Sequence, residues 1–244
     1  FQLTMTSIPQ IINLTGKSAL ITGASSGIGR VTALLFRQLG ASVVIVARNE
    51  VRLNELATEL KNISQEGIVQ AVSADVTKES DVQNIFKVVR EKFGDKLDIL
   101  VNNAGILESG SILDTNMEQY DRVMDINLRA VYNITHHAAP LLISAKGNVV
   151  NPHETKSCLK EMFLFLQTAV FPGVTVTELH KRSGMDETRY AGFLEHSKST
   201  HALGRPGEAI EVARAIAFLA SDAASFITGV TLPVDGGRHA MCPR

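Results

Sequence analysis

Apolar runs alternate with amphipathic stretches along most of this 244-residue chain, the pattern of a parallel sheet covered by helices on both faces. The runs predict strands at Ser18–Thr22, Ser42–Ala47, Ile68–Ala74, Leu97–Val101 and Asn148–Asn151. A last strand, Val230–Val234, ends at the turn signal Asp235-Gly236-Gly237. Between the strands the apolar period lengthens to that of helices. The first helix, running from Arg30, closes at Gly40, Asn49 caps the second, and Thr77 or Lys78 opens the third. The fourth covers Met117 to His137, and Pro206-Gly207-Glu208 starts one that reaches about Leu219. No repeat or low-complexity linker interrupts this order. The expectation is one α/β domain, residues 1–244, built on a doubly wound parallel sheet.

Between the first strand and the first helix stands Thr22-Gly23-Ala24-Ser25-Ser26-Gly27-Ile28-Gly29. Glycine turns sharply with positive φ, and without a Cβ it lets a pyrophosphate reach the amides at the positive end of the following helix. The spacing Gly23-x-x-x-Gly27-x-Gly29 is one variant of the dinucleotide fingerprint, and its bland alternative is a strand-to-helix turn without ligand. The next strand ends Val46-Ala47-Arg48-Asn49. An acid there would bind a ribose 2′-hydroxyl and repel a 2′-phosphate, but Ala47 holds that place and Arg48 follows, which favours NADP(H) over NAD(H). The alternative for Arg48 is an ordinary surface charge.

Composition narrows the remaining classes. A formal net charge of −1 without a basic block suggests no nucleic acid and no anionic membrane as partner. The longest apolar run, Met162 to Phe171, is broken by Gln167 and is far short of a membrane span. The N-terminus, Phe1-Gln-Leu-Thr-Met5, has no charged region ahead of an apolar one, so no signal peptide is expected. Cys158 and Cys242 suit a reducing, cytoplasmic setting better than a disulfide framework, and no histidine spacing predicts a metal.

Four further segments follow the glycine loop in order. Asp75-Val76 comes after the third strand, Asn102-Asn103-Ala104-Gly105 after the fourth, Asn127 within Met-Asp-Ile-Asn-Leu, and Pro172-Gly173-Val-Thr-Val-Thr177 late in the chain. The ordered set resembles the short-chain dehydrogenase/reductase family, most closely its 3-oxoacyl-reductase-like members, over about 14–151 and 171–235. The resemblance implies cofactor contacts at Gly23, Ser25, Ser26, Gly27, Ile28, Gly29, Arg48, Asp75, Val76, Asn102, Ala104, Gly105, Pro172, Gly173 and Thr177. It also implies a small-molecule carbonyl or alcohol substrate, and a catalytic place for Asn127, holding a water in a proton relay. Read as bare residues, Asp75 could accept from an adenine amino group or cap a helix, Asn102 and Gly105 could meet a ribose or simply turn, and Asn127 could be structural. Arg189-Tyr190 to His196-Ser-Lys198 falls where the family has a mobile substrate lid, and suits any surface helix equally.

One segment departs from the family. Its members carry a Ser after the fifth strand and then a Tyr-x-x-x-Lys pair, which polarise the substrate oxygen and handle its proton. Here Asn148-Val-Val-Asn151 runs into Pro152-His-Glu-Thr-Lys-Ser157-Cys-Leu-Lys-Glu-Met162, and the expected Ser is absent. Four residues after Tyr120, Tyr132 and Tyr190 come Met124, His136 and Leu194, so no tyrosine has its lysine. Ser157 with Lys156 or Lys160 is a conceivable but weak substitute. Phe163–Val170 is apolar enough to be the sixth strand, leaving about a dozen residues for a crossover that the family fills with a long helix. A missing crossover helix would uncover apolar surface beside Val123–Tyr132, predicting an unstable, aggregation-prone chain and putting the family's homo-oligomer in doubt. The expected function is thus NADP(H)-dependent hydride transfer in an impaired active site. The alternative is a non-catalytic nucleotide-binding variant, or the product of an altered transcript or gene model.

Overall fold

A computed structural model describes residues 11–108, 110–111, 113–152 and 166–241. Its strands are β1 (Ser18–Thr22), β2 (Ser42–Ala47), β3 (Val69–Ser73), β4 (Ile99–Val101), β5 (Asn148–Asn151), β6 (Leu166–Pro172), β7 (Thr175–Val176), β8 (Gly207–Glu208) and β9 (Thr231–Val234). The helices are α1 (Gly27–Gln38), α2 (Glu50–Ile63), α3 (Glu79–Phe93), α4 (Met117–Met124), α5 (Ala130–Ala145), α6 (Leu179–Arg182), α7 (Glu187–Thr200) and α8 (Ala209–Ala220). Seven strands form one sheet in the order β3-β2-β1-β4-β5-β6-β9, and every neighbouring pair is parallel. The order runs outward in both directions from β1 and β4, which makes the sheet doubly wound.

Alternation within the buried strands feeds two cores. Ala19, Ile21, Val43 and Ile45 join Phe36 of α1, Leu53 and Leu56 of α2, and Val212 and Ile216 of α8 on one face. Leu20, Val44, Val46 and Leu100 meet Val82, Ile85 and Phe86 of α3 and Ile134, Leu141 and Leu142 of α5 on the other. With both faces covered, the central strands can be apolar at every position. The result is the Rossmann-like single domain that the hydrophobic pattern implies.

Several boundaries differ from expectation, each for a local reason. β3 spans Val69–Ser73 and β4 spans Ile99–Val101, shorter than the apolar runs because ladder pairing begins only where the neighbouring strand is alongside. The expected helix at Met117–His137 continues to Ala145 and ends when Lys146 turns left-handed at φ 53°. It also contains a π-helical turn, Asp125–Arg129. Gly207–Glu208 pairs as a strand with β7, so α8 starts at Ala209, with Glu208 and Glu211 forming a capping box.

Within the described residues the sixth strand covers Leu166–Pro172, and it pairs with β5 on one side and β9 on the other. Phe163–Phe165, the candidate substitute trio Lys156, Ser157 and Lys160, Cys158 and Cys242 lie outside the described residues.

Candidate functional site

The carboxyl ends of β1 to β4 open onto one cleft, and the glycine loop forms its floor. Gly23 adopts φ +65°, and a Cβ there would stand 2.8 Å from the backbone of Ala104. A Cβ on Gly29 would stand 2.5 Å from the Gly23 carbonyl oxygen. The two loops after β1 and β4 are therefore seated directly on each other. Asn103 fixes that contact, since its Nδ2 donates to the carbonyls of Thr22 (3.2 Å) and Gly23 (3.0 Å). Thr22 adds to it by accepting from the Ala104 amide at 3.0 Å through Oγ1.

Ser26 is the N-cap of α1, yet its side chain makes no capping bond to the first turn. The first-turn amides consequently retain donors directed at the cleft, where the helix end is positive. Ser25, Ser26, Gly27 and Ile28 all line this wall. Opposite them, Arg48, Asp75 and Val76 come from the ends of β2 and β3, and Ala104 and Gly105 from the loop after β4. Thr177 closes the cleft from above, and its methyl group would meet a Cβ on Gly27 at 3.4 Å.

Burial alone pushes the Asp75 carboxyl up, but the amide and hydroxyl of Thr77 and the charges of Arg48 and Lys78 outweigh it, holding the group below its ordinary range. Asp75 Oδ1 accepts from Thr77 N at 3.0 Å and Thr77 Oγ1 at 2.8 Å. It thus makes a local turn instead of capping α3, whose N-cap is Lys78.

Other motif residues stand behind the lining. Asn102 is 2% exposed, and its Nδ2 donates to Thr135 Oγ1 (3.1 Å) and Asn151 Oδ1 (2.9 Å), tying β4 to α5 and β5. Asn127 lies in the π turn, and both ends of its amide are taken by the backbone of Ile106 at 2.9 Å. Such turns recur at functional sites, where the extra residue re-aims a side chain. Pro172 ends β6, and Gly173 packs where a Cβ would be 2.8 Å from Asp235 Cα and from His201 Nε2. His201 is buried, accepts from the Val174 amide at 3.1 Å through Nε2, and places Nδ1 2.7 Å from the Ser197 carbonyl.

Glu178, Leu179 and Arg182 also line the cleft, although no motif in the chain pointed to them. The segment Arg189 to Lys198 falls within α7, where Tyr190 is buried and donates from its hydroxyl to the Thr177 carbonyl at 3.0 Å. Among the described residues, no three His, Cys, Asp or Glu side chains gather as a metal site requires, and no helix is long and apolar enough to cross a membrane.

Residues 17–157 match the family model described as short chain dehydrogenase, and 168–239 match the one described as Enoyl-(Acyl carrier protein) reductase. The chain belongs to the short-chain dehydrogenase/reductase family of oxidoreductases. It is 32% identical to a 3-oxoacyl-(acyl-carrier-protein) reductase of Thermotoga maritima, over 93% of this chain and 99% of that one. Short-chain dehydrogenase reductase 3a of Arabidopsis thaliana is 33% identical, with 95% and 98% covered. Among solved structures, a family member of unknown function from Caenorhabditis elegans, determined with cofactor, superposes with TM-score 0.84 at 28% identity, covering 94% of this chain and 97% of that one. A 3-ketoacyl-(acyl-carrier-protein) reductase from Brucella melitensis, complexed with NADH, gives 0.80 at 31%, covering 93% and 99%.

Proposed function

We propose that this short-chain dehydrogenase/reductase binds NADP(H) in the cleft above β1–β4 and that its transfer of hydride to or from a small carbonyl or alcohol substrate is impaired. The observation that carries the binding half is the glycine floor. Positions 23 and 29 have no space for a Cβ, and the amides beside them are left open by their own cap residue. That cradle fits a pyrophosphate. Arg48, exposed at the end of β2 on the cleft's edge, suits a 2′-phosphate. The NADH bound by the Brucella melitensis reductase supports a nicotinamide cofactor here, and Arg48 supports the phosphorylated form.

When bound, the nicotinamide supplies or accepts the hydride, and the protein must move the matching proton. The impairment rests on the residues available for that step. Tyr190 is engaged with Thr177, while Tyr120 and Tyr132 are 53% and 40% exposed on α4 and α5, and none of the three lines the cleft. No lysine follows any of them at the helical spacing that would lower a phenol's pKa. Asn127 contributes by fixing Ile106 at the cleft wall.

NADPH fluorescence titration combined with a carbonyl-reduction assay tests both halves. The expected result is nucleotide binding with turnover about 10²–10⁴-fold below a competent reductase, the usual loss when a positioned acid is missing. Turnover at an ordinary reductase rate overturns the impairment, and failure of a folded sample to bind any pyridine nucleotide overturns the cleft assignment.

A further inference from the structure

The upper wall of the cleft carries charges that the glycine loop and Arg48 do not explain. Arg182, the last residue of α6, reaches across the opening and its Nη2 donates to the hydroxyl of Ser26, the N-cap of α1. The same nitrogen lies 3.4 Å from Glu178 Oε2. That carboxylate oxygen also accepts from Arg52 Nη1, in the first turns of α2, at 2.8 Å. Glu178 thus links an arginine on the rim of the cleft to an arginine on the segment above it.

Two features of this arrangement call for an anion. A guanidinium beside the N-terminus of α1 adds a full positive charge to a helix end that is already positive, an unfavourable pairing unless a negative group stands between them. At the helix end itself the guanidinium meets a neutral hydroxyl, and the carboxylate it reaches, Glu178 at 3.4 Å, is held closer by Arg52 at 2.8 Å, so two guanidiniums share one negative charge. Arg182 also has donors to spare: a guanidinium carries five N–H groups, this one is 52% exposed, and its recorded partners are Ser26 and Glu178. Arg48 lies on the β2 side of the cleft, so the two cations flank different parts of a ligand lying along the glycine loop.

We propose that Arg182 is a ligand to the pyrophosphate of the dinucleotide, brought down by the segment above the cleft, and that Glu178, gripping Arg52, is the fastening that sets how long this segment stays closed. The inference rests on the nucleotide reading of the cleft given above. It assigns the two arginines different jobs. Arg182 serves a group common to both nicotinamide dinucleotides, whereas Arg48 serves the 2′-phosphate alone. Glu178 touches no phosphate and acts through Arg52 and Arg182 as a positioning residue.

The test measures NADPH and NADH affinities by fluorescence, and their release rates by stopped-flow displacement, for the wild type and for R182A, R182K, E178Q, R52A and the E178Q/R52A pair. All three positions are exposed, and circular dichroism checks that each variant is folded. R182A should weaken both nucleotides by the same factor, about tenfold for one charge-assisted contact, with R182K recovering part of the loss. E178Q and R52A should each speed release about two- to fivefold, as expected of an exposed ion pair, and the double variant should do no more than either alone. Unchanged affinity in R182A overturns its role as a ligand, and a loss confined to NADPH moves it to the 2′-phosphate and overturns the pyrophosphate assignment. Slower release from E178Q overturns the fastening, since Glu178 would then compete with the phosphates. A wild type that binds neither nucleotide removes the cleft reading and this inference together, while a wild type that binds normally beside an unaltered R182A removes this inference alone.

Discussion

Gly29→Ala probes the contact on which the proposed nucleotide cradle depends, because its whole effect comes from space. Gly29 does not occupy the left-handed region, so alanine adds no backbone strain. The new Cβ would stand 2.2 Å from Asn103 Nδ2 and 2.5 Å from the Gly23 carbonyl oxygen. Asn103 can swing aside, but it then releases the Thr22 and Gly23 carbonyls, at about 0.5–1.5 kcal/mol for each bond. Gly23 has less freedom, since it is backbone wedged against Ala104, and forcing it away resembles overpacking a core, about 1–3 kcal/mol. Together these amount to about 2–6 kcal/mol, which for a chain of this length lowers the melting temperature by roughly 5–20 °C. Thermal melts followed by circular dichroism and NADPH fluorescence should report the loss of stability and of binding together. Gly192→Ala is the control: this exposed glycine inside α7 has nothing within 4 Å of a built Cβ, so alanine should stabilise by about 0.5–1 kcal/mol. If Gly29→Ala melts within about 2 °C of the wild type and binds NADPH equally well, the close seating of the β1 and β4 loops does not shape the cradle.

Three other outcomes follow from the same geometry. Arg48→Ala should remove most of the preference for NADPH over NADH without weakening NADH, and a preference that survives in paired fluorescence titrations would show that another group reads the 2′-phosphate. His201→Leu leaves the buried Val174 amide without its acceptor, so denaturant unfolding should show a loss of about 1–3 kcal/mol, whereas an unchanged midpoint would mean that the Pro172-Gly173 loop is held by other contacts. The pair of Glu211 with Arg205, aided by the Glu208 amide, lowers the Glu211 carboxyl from 4.5 to about 2. Because the folded value is the lower one, its stabilisation is complete above about pH 4.5 and fades as the pH falls toward 2. Both side chains are partly exposed, at 33% and 49%, so screening holds the gain to about 1 kcal/mol or less. Glu211→Gln should therefore have a lower urea midpoint than the wild type at pH 6, and the gap should narrow steadily as the pH falls from 4.5 toward 2; a gap that widens on acidification contradicts the pairing.

What the sequence revealed, and what it concealed, divides along the line between local and distant causes. The bounds of β1, β2 and β5 were legible because each has an apolar centre buried on both faces, between Asn148 and Asn151 in the case of β5, and Asn49 caps α2 as its position implied, accepting from Arg52 N at 3.0 Å. The glycine spacing was legible for the same reason, since strand, turn and helix lie within twenty-one consecutive residues from Ser18 to Gln38. Asn102 and Asn103 were not distinguishable, because period-two geometry turns one inward to Asn151 and Thr135 and the other toward the glycine loop, and a two-residue asparagine run does not say which. The π turn that re-aims Asn127 adds one residue to a helix without changing its composition, so the helical period passed over it. Arg182 was invisible for a stronger reason: its partner Ser26 is 156 positions away, and only the folding of β6 beside β5 brings the two together. That placement gives the chain a particular asymmetry. The half of the site proposed to hold phosphate centres on a short β1-loop-α1 unit, against which Asn103 and Ala104 of the β4 loop and Arg182 of α6 are brought from a distance. The proposed loss of the proton-moving half falls instead on positions 152–165, between β5 and β6, where the sequence reads without the Ser and Tyr-x-x-x-Lys set that the resemblance implies. On the proposed reading, nucleotide binding depends on the β1-loop-α1 unit and the loops it meets, and a change confined to the segment after β5 leaves that unit as it is.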